Sequence, residues 1–183
     1  MRAPLRLAAL LVSLPLAVAC WQNPERRAAE LIDDLRSPDA AAVDRAVRQL
    51  VEMGEPAVPA LVQALKDPEA RVRNAAASAL WGLGPKAREA VPTLADALAD
   101  TDDGVRLGVV MALESVGRDA AAAVPALTRA VRDRDGNVRL WAAKALAKIG
   151  PPARSALPAL ADAARYDSTR AAAEDAIRAI KAP

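Results

Sequence analysis

Apolar positions along this chain fall into two alternating patterns, and each returns at a fixed step. The first is one short segment written four times: Val58-Pro-Ala-Leu-Val-Gln-Ala-Leu65, Val91-Pro-Thr-Leu-Ala-Asp-Ala-Leu98, Val124-Pro-Ala-Leu-Thr-Arg-Ala-Val131 and Leu157-Pro-Ala-Leu-Ala-Asp-Ala-Ala164. Its prolines stand at 59, 92, 125 and 158, a step of 33 residues each time. The second pattern sets Val72, Ala76, Ala79, Leu80 and Leu83 three and four residues apart, the spacing that lines one face of an α-helix. It returns as Val105, Ala112, Leu113 and Val116, and again as Val138, Ala145, Leu146 and Ile149. Such a period arises when one supersecondary unit is stacked on itself, because a single unit cannot bury its own apolar face.

Each unit reads as two helices. The first carries the Val-Pro-x-Leu segment, with Leu61, Leu65 and their equivalents on one face. The second begins near Val72-Arg73, Val105-Arg106 and Val138-Arg139, and stops at Gly84, Gly117 and Gly150, as the preceding unit stops at Gly54. Glycine just past a helix end supplies the positive φ that closes the last carbonyls. Prolines at 56, 85 and 151 follow, where a helix does not continue. Between the two helices lie Asp67-Pro-Glu69, Asp100-Thr-Asp-Asp103 and Asp133-Arg-Asp-Gly-Asn137. Their carboxylates suit the free amides and positive dipole end of the helix that follows.

The ends depart from the pattern. From Gly54 to Gly84 the step is 30, because Gly54 to Pro59 is three residues shorter than Gly84 to Pro92. The first unit has Val43-Asp44 where Val-Arg would stand, and the last has Thr169-Arg170 after a turn about two residues shorter. Terminal repeats of a solenoid depart in this way because one side faces solvent. The count is five helix pairs. Asn23-Pro24 supplies the first helix start, with Asn as N-cap and Pro at the first helical position.

Composition agrees with an all-α chain. Hydrophobic residues make up 53% but aromatics only 2%, with no Phe, so the apolar content is chiefly Ala, Leu and Val. Alanine favours helix and lets backbones approach closely.

The first twenty residues read as an address. Arg2 and Arg6 give a positive start, Leu7 to Leu16 an apolar run, and Ala17-Val18-Ala19 the small residues that a signal peptidase reads. The run is shorter than the roughly 20 residues that span a bilayer. Cys20, the single Cys, follows Ala19, and Leu16-Ala-Val-Ala-Cys20 resembles a bacterial lipobox. The family prefers Leu three places before the Cys, where this chain has Ala17. The resemblance implies cleavage after residue 19, a lipid on Cys20, and membrane attachment on the periplasmic or outer side. Simple secretion is the alternative. Residues 20–24 would then form a short tether and 25–181 the solenoid.

Charge and chemistry narrow the function. Without Arg2 and Arg6 the charges balance at 23 against 23, so the net +2 of the whole chain is no sign of a nucleic-acid partner. No His is present, which excludes a Ser-His-Asp triad, a Cys-His pair and an imidazole metal site. No phosphate-cradling Gly-rich loop occurs. The expectation is a non-enzymatic chain with no cofactor and no metal.

The motif Val-Pro-x-Leu…Asp…Val-Arg-x-x-Ala-x-x-Ala-Leu-x-x-(Leu/Val/Ile)-Gly resembles the HEAT-repeat family, in the short bacterial form also found in phycobilisome-lyase-like proteins. It covers about residues 25–181. The resemblance implies a right-handed α-solenoid of about five antiparallel helix pairs, with the second helices lining the concave side. It also implies that Arg73, Arg106 and Arg139 bond the inter-helix turns of their own or the next unit. Among similar folds, deoxyhypusine hydroxylase holds iron through His-Glu pairs, which a chain without His does not possess. A bilin lyase-type activity stays open by resemblance, although an export signal is out of place for it. A structural spacer in an envelope assembly is a further alternative.

A helical wheel finds the candidate site. If Val72, Ala76, Ala79 and Leu83 face the core, then Asn74, Ser78 and Trp81 point away from it. Their equivalents are Leu107, Met111 and Glu114, then Leu140, Lys144 and Ala147. An exposed face carrying Trp81, Leu107, Met111 and Leu140 is the form of a groove for a protein or peptide. Trp141, aligned with Ala75 and Gly108, is expected to fill space beside Gly108.

Overall fold

In a computed structural model, residues 23–165 and 169–182 are described. The leader and Cys20 lie outside the described residues, as does the Tyr166–Ser168 part of the last turn. Ten α-helices follow in order: α1 Pro24–Asp34, α2 Ala40–Met53, α3 Val58–Ala64, α4 Ala70–Leu83, α5 Val91–Ala97, α6 Asp103–Val116, α7 Val124–Ala130, α8 Gly136–Ile149, α9 Leu157–Ala163 and α10 Arg170–Lys181. No strand occurs among the described residues. Five helix pairs stack as an all-α solenoid.

Local chemistry sets the helix ends. Asn23 Oδ1 accepts from the Glu25 amide at 2.9 Å with Pro24 at the first position of α1. Asp39, Asp102 and Asp135 cap α2, α6 and α8 with bonds of 2.7–3.1 Å to first-turn amides. Gly54, Gly84, Gly117 and Gly150 end α2, α4, α6 and α8 at φ +58° to +74°, a region that penalises any side chain.

The first helices contain a feature that the repeat pattern alone does not separate. A 3-10 turn precedes each of α5, α7 and α9, over Gly84–Ala90, Gly117–Ala123 and Pro151–Ala156. Ala87 and Ala90, Ala120 and Ala123, and Ala153 and Ala156 are fully buried there. A spacing of three is one turn of a 3-10 helix, so both alanines of each pair point into the stack. Before α3 the 3-10 segment is only Glu55–Ala57, and the three residues missing between Gly54 and Pro59 correspond to one such turn.

Between units the second helices α4, α6, α8 and α10 pack on one another in one continuous layer. The resemblance to HEAT repeats implies that this layer of second helices is the concave, inner one. The core between the layers is Leu61, Leu80, Leu94, Leu113, Leu127, Leu146, Ile149 and Leu160, each buried to 2% exposure or less. Burying each such side chain contributes about 2 kcal/mol before the entropy of ordering.

Candidate functional site

Second helices are held in register by a ladder of ions along one edge. Arg73 donates to both Asp100 oxygens at 2.7 and 2.8 Å and to the Asp67 and Pro68 carbonyls of its own turn at 2.8 and 3.1 Å. Arg106 repeats this on Asp133 at 2.8 and 3.0 Å, and on the Asp100 carbonyl at 3.0 Å. Arg139 donates to the Asp133 and Arg134 carbonyls. At the start of the stack Arg36 takes the corresponding part, bonding Asp67 at 2.5 Å. The Arg36, Arg73 and Arg106 guanidiniums thus each tie their own turn to the next. The aspartates also accept the amide two residues on, from Glu69, Asp102 and Asp135, each at 2.9 Å.

These contacts shift the charges. The Arg73 guanidinium holds the Asp100 carboxyl below the ordinary carboxylate range, against the opposing effect of burial. Burial pushes Asp133 upward, but bonds from Arg106 and the Asp135 amide outweigh it and the net direction is down. In return, Arg73 and Arg106 are raised by their aspartates. With Asp67, Asp100 and Asp133 each bonded to an arginine of the preceding unit, the ladder joins units.

The inner layer is different. Asn74, Ser78 and Trp81 of α4 face Leu107 and Met111 of α6 across a groove of about 210 Å³. Its floor is Gly104 and Gly108. A side chain at Gly108 would stand 3.1 Å from Ala77 Cβ and from Asn74 Oδ1, so the glycine allows α4 and α6 to approach. At the equivalent places the neighbouring second helices have Arg71 and Ala75, and Asn137 and Trp141. Trp81 is 47% exposed and is the one large hydrophobic side chain so exposed among the described residues. The Asn74 amide has no partner among them.

Five of the eight candidate groove residues therefore come together. The other three do not. Glu114, equivalent to Trp81, pairs with Lys148 at 3.0 Å. Leu140 is half-buried against the core. Lys144 is exposed, with its Nζ 4.2 Å from the centre of the Trp141 ring. Trp141 itself packs on the core, but the space beside Gly108 is closed by α4 instead. Sequence reasoning misses Gly104, and takes Gly108 only as the space beside Trp141 rather than as part of the groove. Their signal is two glycines four apart in α6, one in its first turn and one inside it, where the other copies carry side chains.

A family model described as HEAT repeats matches residues 28–114 and 91–181. A search of curated proteins finds no match. Among solved structures the chain is similar to a designed armadillo repeat protein in complex with the peptide (KR)4, at 19% identity and a TM-score of 0.65, over 84% of this chain and 81% of that one. It is similar to the CpcE and CpcF complex of phycocyanin lyase from Nostoc sp. PCC7120, at 21% identity and a TM-score of 0.68, over 82% and 98%. An engineered protein shares 25% identity with a TM-score of 0.59, over 84% and 79%.

Proposed function

This chain belongs to the HEAT-repeat family, and from that premise we propose a non-enzymatic binding scaffold that holds a protein or peptide on its inner face. The observation that carries the reading is Trp81, half exposed beside Leu107 and Met111 over a glycine floor. An apolar groove rimmed by Asn74 and Ser78 seats one large side chain, and the unpaired amide offers a donor and an acceptor to a partner backbone. A photo-crosslinking residue at Ser78 should capture one partner in intact cells. The same residue at Gln63, exposed on α3 of the outer layer, should not. Adding Trp81→Glu and Leu107→Glu should abolish the adduct while leaving the helical circular dichroism unchanged; an undiminished adduct contradicts the groove.

The proposal extends to place. Leu7 to Leu16, Ala17-Val18-Ala19 and Cys20 support export with a lipid on Cys20. One acyl chain anchors marginally and several anchor stably. Cys20→Ser should move the protein from the membrane to the soluble fraction, and unchanged fractionation refutes the anchor. Likeness to the phycocyanin lyase complex favours a second reading, a lyase-type subunit. A shifted bilin absorbance after incubation with the chain would support that reading.

A further inference from the structure

Ser78, Met111 and Lys144 occupy equivalent positions on α4, α6 and α8, so they form one row across the inner layer. Neighbouring packed helices lie about 8–10 Å apart. The row runs from the groove, through Met111, to a cation. Lys144 lies over the Trp141 ring and forms no ion pair among the described residues. Of the other charges on this face, Glu114 pairs with Lys148 at 3.0 Å, and Asp175, next in the row on α10, pairs with Arg178. The positions matching the open floor of Gly104 and Gly108 are filled on α8 by Asn137 and Trp141. An occupant leaving the groove toward α8 therefore rises over Trp141 and meets an uncompensated positive charge.

Resting on the peptide-binding reading above, we propose that the occupant is an extended acidic peptide. Its apolar side chain sits between Trp81 and Met111, its main-chain amide pairs with Asn74, and an Asp or Glu about three residues along reaches Lys144. Three residues of extended chain span about 10 Å, one helix spacing. A basic peptide in the same path would set like charges together, and a wholly apolar one would leave the charge unanswered.

The test is a random dodecapeptide library panned in parallel on the protein, on Trp81→Glu and on Lys144→Glu. Both side chains are exposed, and circular dichroism verifies that each variant is folded. The protein should enrich an apolar residue with Asp or Glu about three positions away, and Trp81→Glu should lose this set. Lys144→Glu should exchange the acid for Lys or Arg. In an enriched peptide, replacing the acid by Ser should weaken binding about fivefold, the scale of one exposed ion pair. Enrichment that needs Trp81 but shows no acidic preference, or does not change on Lys144→Glu, overturns the acidic occupant and leaves the groove standing. Enrichment indifferent to Trp81→Glu, or none at all, overturns both.

Discussion

Arg106 and Arg132 each meet an aspartate of the following unit, yet 6% of the Arg106 side chain is exposed against 62% of Arg132. Removing one partner of a buried pair strands the other charge away from water, at about 3 kcal/mol or more. An exposed pair is screened and contributes roughly 0–1 kcal/mol. Arg106→Ala should therefore lower the urea midpoint strongly and Arg132→Ala barely, and equal shifts would contradict the ladder's role. The same contacts set the acid limit of the fold. Asp100 and Asp133 have folded pKa values below their unfolded ones, so their contribution is present above the unfolded value near 4 and is lost as pH falls through the folded one. Asp133→Asn should be the less stable protein at pH 7, and its deficit relative to the parent should shrink progressively below about pH 4. A deficit that is constant with pH would separate Asp133 from the titration.

At the scale of elements, Gly82 shows how close the inner layer is packed. Alanine in place of glycine inside a helix ordinarily gains about 0.5–1 kcal/mol. Here a Cβ on Gly82 of α4 would stand 2.8 Å from Cγ2 of Val51 on α2. Val51 is stiff at χ1 and does not swing aside. Gly82→Ala should thus destabilise by about 1 kcal/mol or more, the usual scale of overpacking, and Val51→Ala should recover part of that loss in the double variant. A midpoint that rises for Gly82→Ala alone contradicts the contact. Ten helices and four glycine stops were legible in the sequence, because Val-Pro-x-Leu and Val-Arg repeat at fixed offsets and glycine alone suits the positive φ. The 3-10 turns were not, since Ala87 and Ala90 sit three apart, a spacing equally compatible with an α-helix. The groove was legible in part. The wheel places Asn74, Ser78, Trp81, Leu107 and Met111 on one face correctly, but a wheel describes one helix at a time. Whether Glu114 and Lys144 join that face depends on Lys148 and Trp141 of the same or next helix, which only the packing reveals.

Over the whole molecule, contacts run between neighbouring units, so stability is a sum of unit and junction contributions along one line. The first three junctions each combine apolar contact between second helices with an Arg–Asp link in the turn layer: Arg36–Asp67, Arg73–Asp100 and Arg106–Asp133. The groove lies inside the α4–α6 junction, where Asn74 and Ala77 already press on Gly108, and a partner seated there would brace two units at once. Arg106 belongs to the next junction along, between α6 and α8. Weakening it should let the α7–α10 part open without the rest. In amide hydrogen exchange of Arg106→Ala, protection in α8 and α10 should fall by about 100-fold, matching a loss near 3 kcal/mol, while α2 and α4 keep most of theirs. An equal fall along the whole stack would show instead that the five pairs open as one unit, with every junction stronger than the link removed.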